Sequence, residues 1–410
     1  MSESVEAFRR RARAWIGANV ARAGEVPAEL SGLERVRRAQ ALQARIYDAG
    51  FAGITWPKAY GGQELTVPHM HAFVEELQGF ENPYGTLSVS IGVIGPTLLE
   101  HGTEEQKAAH LPALLRGDTL WVQYLSEPTG GSDMAGVLTR AERDGDTWVL
   151  NGSKVWTTFG HYATHALCLA RTDWEVPKHR GLSMFIVPVD APGVTVVPLV
   201  QASGASEFCQ EYLEDVALPA DHLLGTVNDG WNLASQLLVH ERNALGGGSA
   251  YYAIGGRGHG EAKVGPSDDL VAAAVRAGRA GDPVLRQLVA EVHARTVVGH
   301  QLGARVAEGL ARRAYTGPAG SMLKLYSADL HLRRCEVAME VRGSDAVAWT
   351  DDDPSAHDAA MAWLVRQGTS IMGGTNEIQR NIISERVLGM PREPAPDKDV
   401  PFSQVRTNRA

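Results

Sequence analysis

The chain has 410 residues, 44% hydrophobic and 21% charged, with a formal net charge of −9; this is ample apolar material for a large core divided over two or three domains. The acidic balance excludes general nucleic-acid binding, which needs a surplus of Lys and Arg on one face, but leaves room for a local basic pocket for one phosphorylated ligand. Cys168, Cys209 and Cys335 are too scattered for a disulfide framework or a cysteine zinc site and fit a reducing cytoplasm; no apolar run is long enough for a membrane span.

Met1 to Val20 mixes Glu3 and Glu6 with Arg9, Arg10, Arg11 and Arg13, which predicts an amphipathic first helix and not a secretory signal. Helical periodicity runs on to about Arg116, with Leu33, Val36, Ala39, Leu42 and Ile46 recurring at helical spacing, interrupted by a loop at Trp56-Pro57-Lys58-Ala59-Tyr60-Gly61-Gly62. Met70, His71 and Phe73 read as packing. From about Leu120 short strand-like runs take over, at Trp148 to Leu150, Ala166 to Leu169, Leu182 to Val189 and Val194 to Val197. Helical character returns from about Gly230 to Gly389. The order predicts an α+β chain: a helical domain over 1–119, a β domain over 120–228, a helical domain over 229–395 and a tail over 396–410. No internal repeat is present.

The glycines of the 246–269 stretch, including Gly255-Gly256-Arg257-Gly258, follow no strand and precede no Lys-Ser or Lys-Thr, so they read as a flexible connection and not a nucleotide fingerprint. His161 and His165 are four apart but lack a third ligand, so no metal site is expected. Asp351-Asp352-Asp353-Pro354 reads as a solvated loop before a helix.

Three segments carry chemistry. Tyr124-Leu125-Ser126-Glu127-Pro128-Thr129-Gly130-Gly131-Ser132-Asp133 is an irregular turn; it reads either as a plain entry to the β domain or as a cradle for the polar edge of a planar heterocycle. In Asn151-Gly152-Ser153-Lys154-Val155-Trp156-Thr157-Thr158, Asn-Gly predicts a hairpin turn, and strand alternation puts Trp156 and Thr158 on one face, as core or as cover for a ring system. In Ile371-Met372-Gly373-Gly374-Thr375-Asn376-Glu377, the glycines allow close backbone approach and Thr375 is a ready N-cap.

Together, and with Trp56 to Gly62, Gly102 to Lys107, Pro219 to Trp231 and Glu385 to Pro391, these segments resemble the acyl-CoA dehydrogenase family over nearly the whole chain. The resemblance implies an N-terminal helical domain, a middle β-barrel-like domain and a C-terminal four-helix bundle, with FAD bound between the last two. It also implies a homodimer, a homotetramer or a hetero-oligomer, and electron-transfer flavoprotein as acceptor in fatty acid and lipid metabolism. Cofactor-binding positions implied are Tyr124, Ser126, Trp156, Thr157 and Thr158 along the isoalloxazine, Thr375 and Glu377 toward the adenosine, and Thr129, Gly131, Arg286 and Gly343. Ser132, Arg242 and Gly373 would face the acyl-CoA substrate. Read without the resemblance, Ser132 is a turn hydroxyl and Arg242 a surface or ion-paired arginine.

The implied reaction takes the α-proton with a carboxylate and the β-hydrogen as hydride, giving a trans-2-enoyl-CoA; the enolate-like charge on the thioester oxygen needs preorganised donors, which relatives supply from a backbone N–H and a ribityl hydroxyl. Many relatives carry the base directly before the C-terminal Gly-Thr, where this chain has Gly373. A second family solution is a glutamate before an arginine on the first helix after the β domain, matched by His240-Glu241-Arg242. Helical spacing sets Glu241 beside Leu237, Leu238, Ala244 and Leu245, an apolar setting that raises a carboxyl pKa; its alternative role is an ion pair that only supports packing. The family's Arg-x-Gln-Phe-Gly segment is missing, with only Arg286-Gln287 in the corresponding region. Two other readings stay open: a flavin oxidase or monooxygenase on the same fold, and a non-catalytic subunit of a hetero-oligomer.

Overall fold

The computed structural model describes residues 3–27, 30–246, 249–253, 268–348 and 354–405. The chain forms two compact units, one of Met1–Leu199, Ser206–Gly258 and Ala395–Ala410, the other of Val200–Ala205 and His259–Pro394. Gly255 to Gly258 of the glycine-rich connection and Asp351 to Asp353 of the acidic run lie outside the described residues.

The first unit opens with helices α1 (Val5–Asn19), α2 (Gly32–Asp48), α3 (Val67–Glu76), α4 (Tyr84–Val89), a π-helical turn (Ser90–Ile94), α5 (Gly95–His101) and α6 (Glu104–Arg116). Side-chain oxygens of Ser4, Ser31 and Thr103 cap α1, α2 and α6, each accepting one first-turn backbone N–H that would otherwise have no partner. Phe8, Ala12 and Ile16 of α1 and Val36, Ala39, Leu42 and Ile46 of α2 turn one face inward, at the spacing that lines one side of a helix. Leu33, included in that stripe by sequence, stays 38% exposed in the first turn of α2.

An eight-stranded sheet follows: β1 (Trp121–Tyr124), β2 (Arg140–Asp144), β3 (Thr147–Thr158), β4 (His165–Arg171), β5 (Leu182–Pro188), β6 (Val194–Leu199), β7 (Phe208–Pro219) and β8 (Leu223–Leu224). Their order is β6-β7-β3-β2-β4-β5-β8, and β1 lies parallel beside β4. The expected hairpin turn at Asn151-Gly152 is corrected, because both residues lie inside the 12-residue β3. Gly152 sits at a register shift against β7 with φ +154°, and a Cβ there would come 2.7 Å from the Cα of Thr139. Its glycine answers a close approach of backbones, not a turn. The hairpin joins β2 to β3 through Gly145 at φ +59°, between the paired Asp144 and Thr147.

Helix α7 (Gly230–Gly246) runs from the sheet back over α5, the π-helical turn and β5 of the first unit. The second unit holds α8 (Asp268–Arg276), α9 (Pro283–Ala311), α10 (Gly320–Arg342), α11 (Pro354–Val365), α12 (Gly368–Ile371) and α13 (Asn376–Ile382). Its core includes Leu270, Leu285, Val292, Val337 and Val341. Among the described residues no helix is long and apolar enough to cross a membrane.

The described part of the tail over 396–410 packs within the first unit. Phe402 is buried, its N–H donates to the Val176 carbonyl at 2.9 Å, and the Arg171 guanidinium lies 3.6 Å from its ring centroid. Residues 406–410 are outside the described set.

Two stability outcomes are expected. Phe402→Ala removes a buried ring and should cost about 3–5 kcal/mol, with residues 395–405 becoming sensitive to limited proteolysis. Lys154→Met strands a buried carboxylate (Glu127, below) and should lower stability in urea by about 3–5 kcal/mol; adding Glu127→Gln should restore part of the loss, since no unpaired charge then remains.

Candidate active site

The site grows from β1 and β3, and alternation decides what each residue does. Tyr124 points into the sheet's core, fully buried among Cys168, Phe185 and Leu213, with no hydrogen-bond partner for its hydroxyl. Any contact of Tyr124 with a bound ring would run through its main chain. The neighbouring Gln123 takes the opposite face, and its amide Nε2 donates to Glu241 Oε2 at 3.3 Å. Sequence reasoning missed Gln123, although the two-residue period of a strand anchored by an inward Tyr124 points to it. The π-helical turn fixes β1 from behind: Ser90 Oγ donates to the Trp121 carbonyl at 3.0 Å and accepts the Trp121 N–H at 2.8 Å.

The turn after β1 is held by a buried ion pair. Lys154 of β3 has no exposure, and its Nζ donates to Glu127 Oε1 at 2.8 Å, to the Leu169 carbonyl at 2.7 Å and to the Leu125 carbonyl at 3.3 Å. Glu127 also accepts the backbone N–H groups of Leu138 at 2.6 Å and Thr139 at 2.9 Å. Burial raises the Glu127 pKa, but the Lys154 charge and these donors outweigh it and hold the carboxyl below its usual range. With Glu127 anchored inside, Thr129, Gly131 and Ser132 are exposed on the outer side of the turn and Ser126 is half-buried.

At the far end of β3 the pairing with β7 slips. Val155 faces Gln210 and Thr157 faces Cys209, leaving Trp156 as the extra residue of a β-bulge with φ +69°. Trp156 is 60% exposed and Thr158 is exposed beside it on the same face. A bulky side chain in the left-handed region is strained, and such strain recurs at binding sites. Thr157 is turned the other way: it is buried, and its hydroxyl meets Glu211 Oε2 at 2.8 Å. Any contact of Thr157 with a bound ring would run through its main chain. A small cleft lies between Thr158 and Phe159, Val122 of β1, and Gly85, Thr86 and Val89 of α4.

Glu241 lies on α7 between Leu237 and Ala244, both buried, with Leu238 partly buried; the Leu245 side chain is outside the described residues. Burial pushes the half-buried Glu241 carboxyl above its usual range, and the Gln123 hydrogen bond and the Arg242 charge pull it back only in part. The preceding His240 bonds Glu100 at 3.1 Å and is committed elsewhere.

In the second unit Gly373 and Gly374 adopt φ +67° and +87°, and Thr375 caps α13 by accepting the Ile378 N–H at 3.2 Å. Glu377 is exposed in the first turn of α13, Arg286 is exposed on α9, and Gly343 ends α10 at φ +63°. Gly373, Thr375 and Glu377 share one short segment, whereas Arg286 and Gly343 belong to other elements. His161 and His165 do not converge on a metal: His161 meets Cys209 Sγ at 2.9 Å, His165 stacks on Trp121 at 4.6 Å, and no metal-binding cluster occurs among the described residues.

Comparison with known proteins agrees with this arrangement of helices, sheet and helices. Family models for the acyl-CoA dehydrogenase N-terminal, middle and C-terminal domains match residues 2–118, 123–216 and 228–388. Acyl-CoA dehydrogenase IpdE1 of Mycobacterium tuberculosis is 35% identical over 405 residues, spanning 95% of this chain and 99% of that protein. Among solved structures, the Tcur3481-Tcur3483 steroid ACAD matches with a TM-score of 0.74 at 29% identity, covering 96% of this chain and 99% of that one. The ChsE4-ChsE5 complex from Mycobacterium tuberculosis matches with a TM-score of 0.70 at 27% identity, covering 96% and 100%. With every domain matched in order, and a curated relative aligned almost end to end, this chain belongs to the acyl-CoA dehydrogenase family and is an oxidoreductase of that kind.

Proposed function

We propose that the protein removes hydrogen from Cα and Cβ of an acyl-CoA thioester to give the trans-2-enoyl product, with Glu241 as the α-proton base and FAD as cofactor. The observation that carries this is the Glu241 carboxyl: half-buried, raised in pKa by burial, and held by Gln123 on an otherwise apolar helix face. The α-proton of a thioester is only weakly acidic, so a base made stronger by desolvation narrows the gap at about 1.4 kcal/mol per pKa unit. When bound, FAD supplies the acceptor for the Cβ hydride.

The residues present fit a flavin ring. An indole with 60% exposure, kept there by a strained bulge, offers a flat apolar surface, and the exposed Thr158 adds a hydroxyl on the same face. Ser126, Thr129 and Gly131 would meet its polar edge, and Thr375, Glu377, Arg286 and Gly343 remain the proposed contacts of its more distant parts. Ser132, Arg242 and Gly373 are proposed to face the acyl-CoA. Glu241 accepts the proton as a carboxylate, and the Gln123 amide, which donates to it, favours that ionised form and fixes its orientation. Electron-transfer flavoprotein is the proposed reoxidant, and the cytoplasm the proposed compartment.

The solved relatives titled as a steroid ACAD and as a two-component complex make ring-bearing acyl groups and hetero-oligomeric assembly the first choices to test. Retention of FAD by the chain purified alone supports a self-sufficient homo-oligomer, and retention only with a second protein supports the hetero-oligomer.

Glu241→Gln should bind FAD and acyl-CoA normally and lose anaerobic flavin reduction by orders of magnitude; reduction at a near-normal rate would exclude Glu241 as the base. A screen of short, long, branched and ring-bearing acyl-CoAs should bleach the flavin with at least one class, and failure with all of them favours an oxidase or monooxygenase. Because the base must be ionised, activity falls as pH drops through the Glu241 pKa. Gln123→Leu removes a donor to the carboxylate, so the acidic limb of the rate profile should move to higher pH, read by stopped-flow reduction.

A further inference from the structure

A second buried carboxyl lies behind the site. Glu211 of β7 has no exposure, sits opposite Lys154 in the β3–β7 register, and carries an Oε1 with no hydrogen-bond partner. Lys154 cannot neutralise it, since its three donors already go to Glu127 and to the Leu125 and Leu169 carbonyls. One ammonium thus stands against two buried carboxyls, and a bare second carboxylate would be very costly there. The remaining groups around Glu211 add no cation. They are the Tyr124 hydroxyl from β1, the Cys168 thiol from β4, the Cys209 thiol on β7 itself and, beyond Cys209, His161 of the turn after β3. Burial drives the Glu211 carboxyl up to about 8, against which the Thr157 hydrogen bond and the Lys154 charge are the weaker influences.

The hydrogen-bond count requires the same proton. Thr157 Oγ1 lies 2.8 Å from Glu211 Oε2 and 3.4 Å from the Gln123 carbonyl oxygen. A hydroxyl has one proton, and a carbonyl can only accept. Both bonds are made in full when Glu211 is protonated and donates to Thr157, whose own proton then turns to Gln123. Once Glu211 ionises, the Thr157 proton turns to the carboxylate and the Gln123 carbonyl loses its donor. Gln123 is the residue whose amide reaches Glu241.

We propose that Glu211 is a positioning residue whose carboxyl proton, passed on through the Thr157 hydroxyl, fixes the Gln123 segment that orients Glu241. The proposal rests on Glu241 being the base. Its structural half is tested without turnover. In the protein freed of cofactor, the infrared band of a protonated carboxyl should fade as pH rises through about 8, be absent from Glu211→Gln and persist in Thr157→Val. A folded carboxyl raised from 4.5 to about 8 contributes stability that is full below the lower value and lost as pH rises through the higher one. The wild type should therefore lose stability relative to Glu211→Gln across that window.

The functional half is read in the pH profile of flavin reduction. The wild type should show, besides the Glu241 limb, an inflection near pH 8 of about two- to tenfold, the worth of one ordinary hydrogen bond. Both Glu211→Gln and Thr157→Val should lose that inflection and keep the Glu241 limb. No protonated-carboxyl band at neutral pH, or an inflection that survives in both variants, overturns the proposal. A normal infrared titration in a protein that no acyl-CoA reduces places the failure in the dehydrogenase reading instead.

Discussion

A lysine ammonium shut away from water needs every one of its protons matched, and in this protein that need organises the site. Lys154 gathers the Glu127 carboxylate, the Leu125 carbonyl at the end of β1 and the Leu169 carbonyl on β4. Glu127 in turn takes the N–H groups of Leu138 and Thr139 just before β2. Four separate pieces of chain therefore converge on one pair of charges. Such a pair adds little net stability over an apolar packing of the same shape, because desolvation offsets most of the attraction. Its effect is specificity: any register of β1, β3 and β4 that separates the two charges leaves one of them buried and unpaired.

That specificity reaches the surface through alternation. With Lys154 pointing in, Val155 and the bulged Trp156 must resolve the slip against β7, and Trp156 and Thr158 emerge on the outer face. With Tyr124 in the core, Gln123 must look the other way, toward α7. The residues that would touch a ligand are thus positioned by residues that never could. Arg171 repeats the strategy at the end of β4, donating to the Ala135 and Val137 carbonyls while its guanidinium covers Phe402 and so ties the last described segment to that strand.

The element order and the periodic helix faces were legible because they follow from spacing alone: Val36, Ala39, Leu42 and Ile46 are buried as their intervals require. Glu241 was legible as a carboxylate on an apolar face, and Thr375 as a helix cap. What was not legible is what depends on a partner strand. Asn151-Gly152 carries a strong local turn signal, yet the pairing with β2 and β7 keeps it extended, and the glycine is needed for the close approach of Thr139. Tyr124 was assigned from the company it keeps in sequence, whereas its orientation is set by the parity of β1 against β4. Lys154, Glu127 and Glu211 look like three ordinary surface charges until long-range pairing puts them inside one sheet. Phe402 lies in a stretch without periodicity, so its burial against Arg171 and Trp174 had no local signal.

The position of the carboxylate on α7 has its own logic. A base on the segment at Gly373 would stand at a backbone of positive φ, in a helix connection whose geometry favours glycine. A base on α7 would stand within a 17-residue helix whose Leu233, Leu237 and Ala244 are buried. The apolar packing that holds this helix in place is also what strips water from the Glu241 carboxyl. One set of contacts thereby bears on both the direction and the pKa of the Glu241 carboxyl, and the Gln123 donor and the Arg242 charge oppose that desolvation in part. On the proposed assignment, a helix-borne base would draw its basicity from the fold's own core, and the positive φ of Gly373 suits a glycine and not a side-chain base.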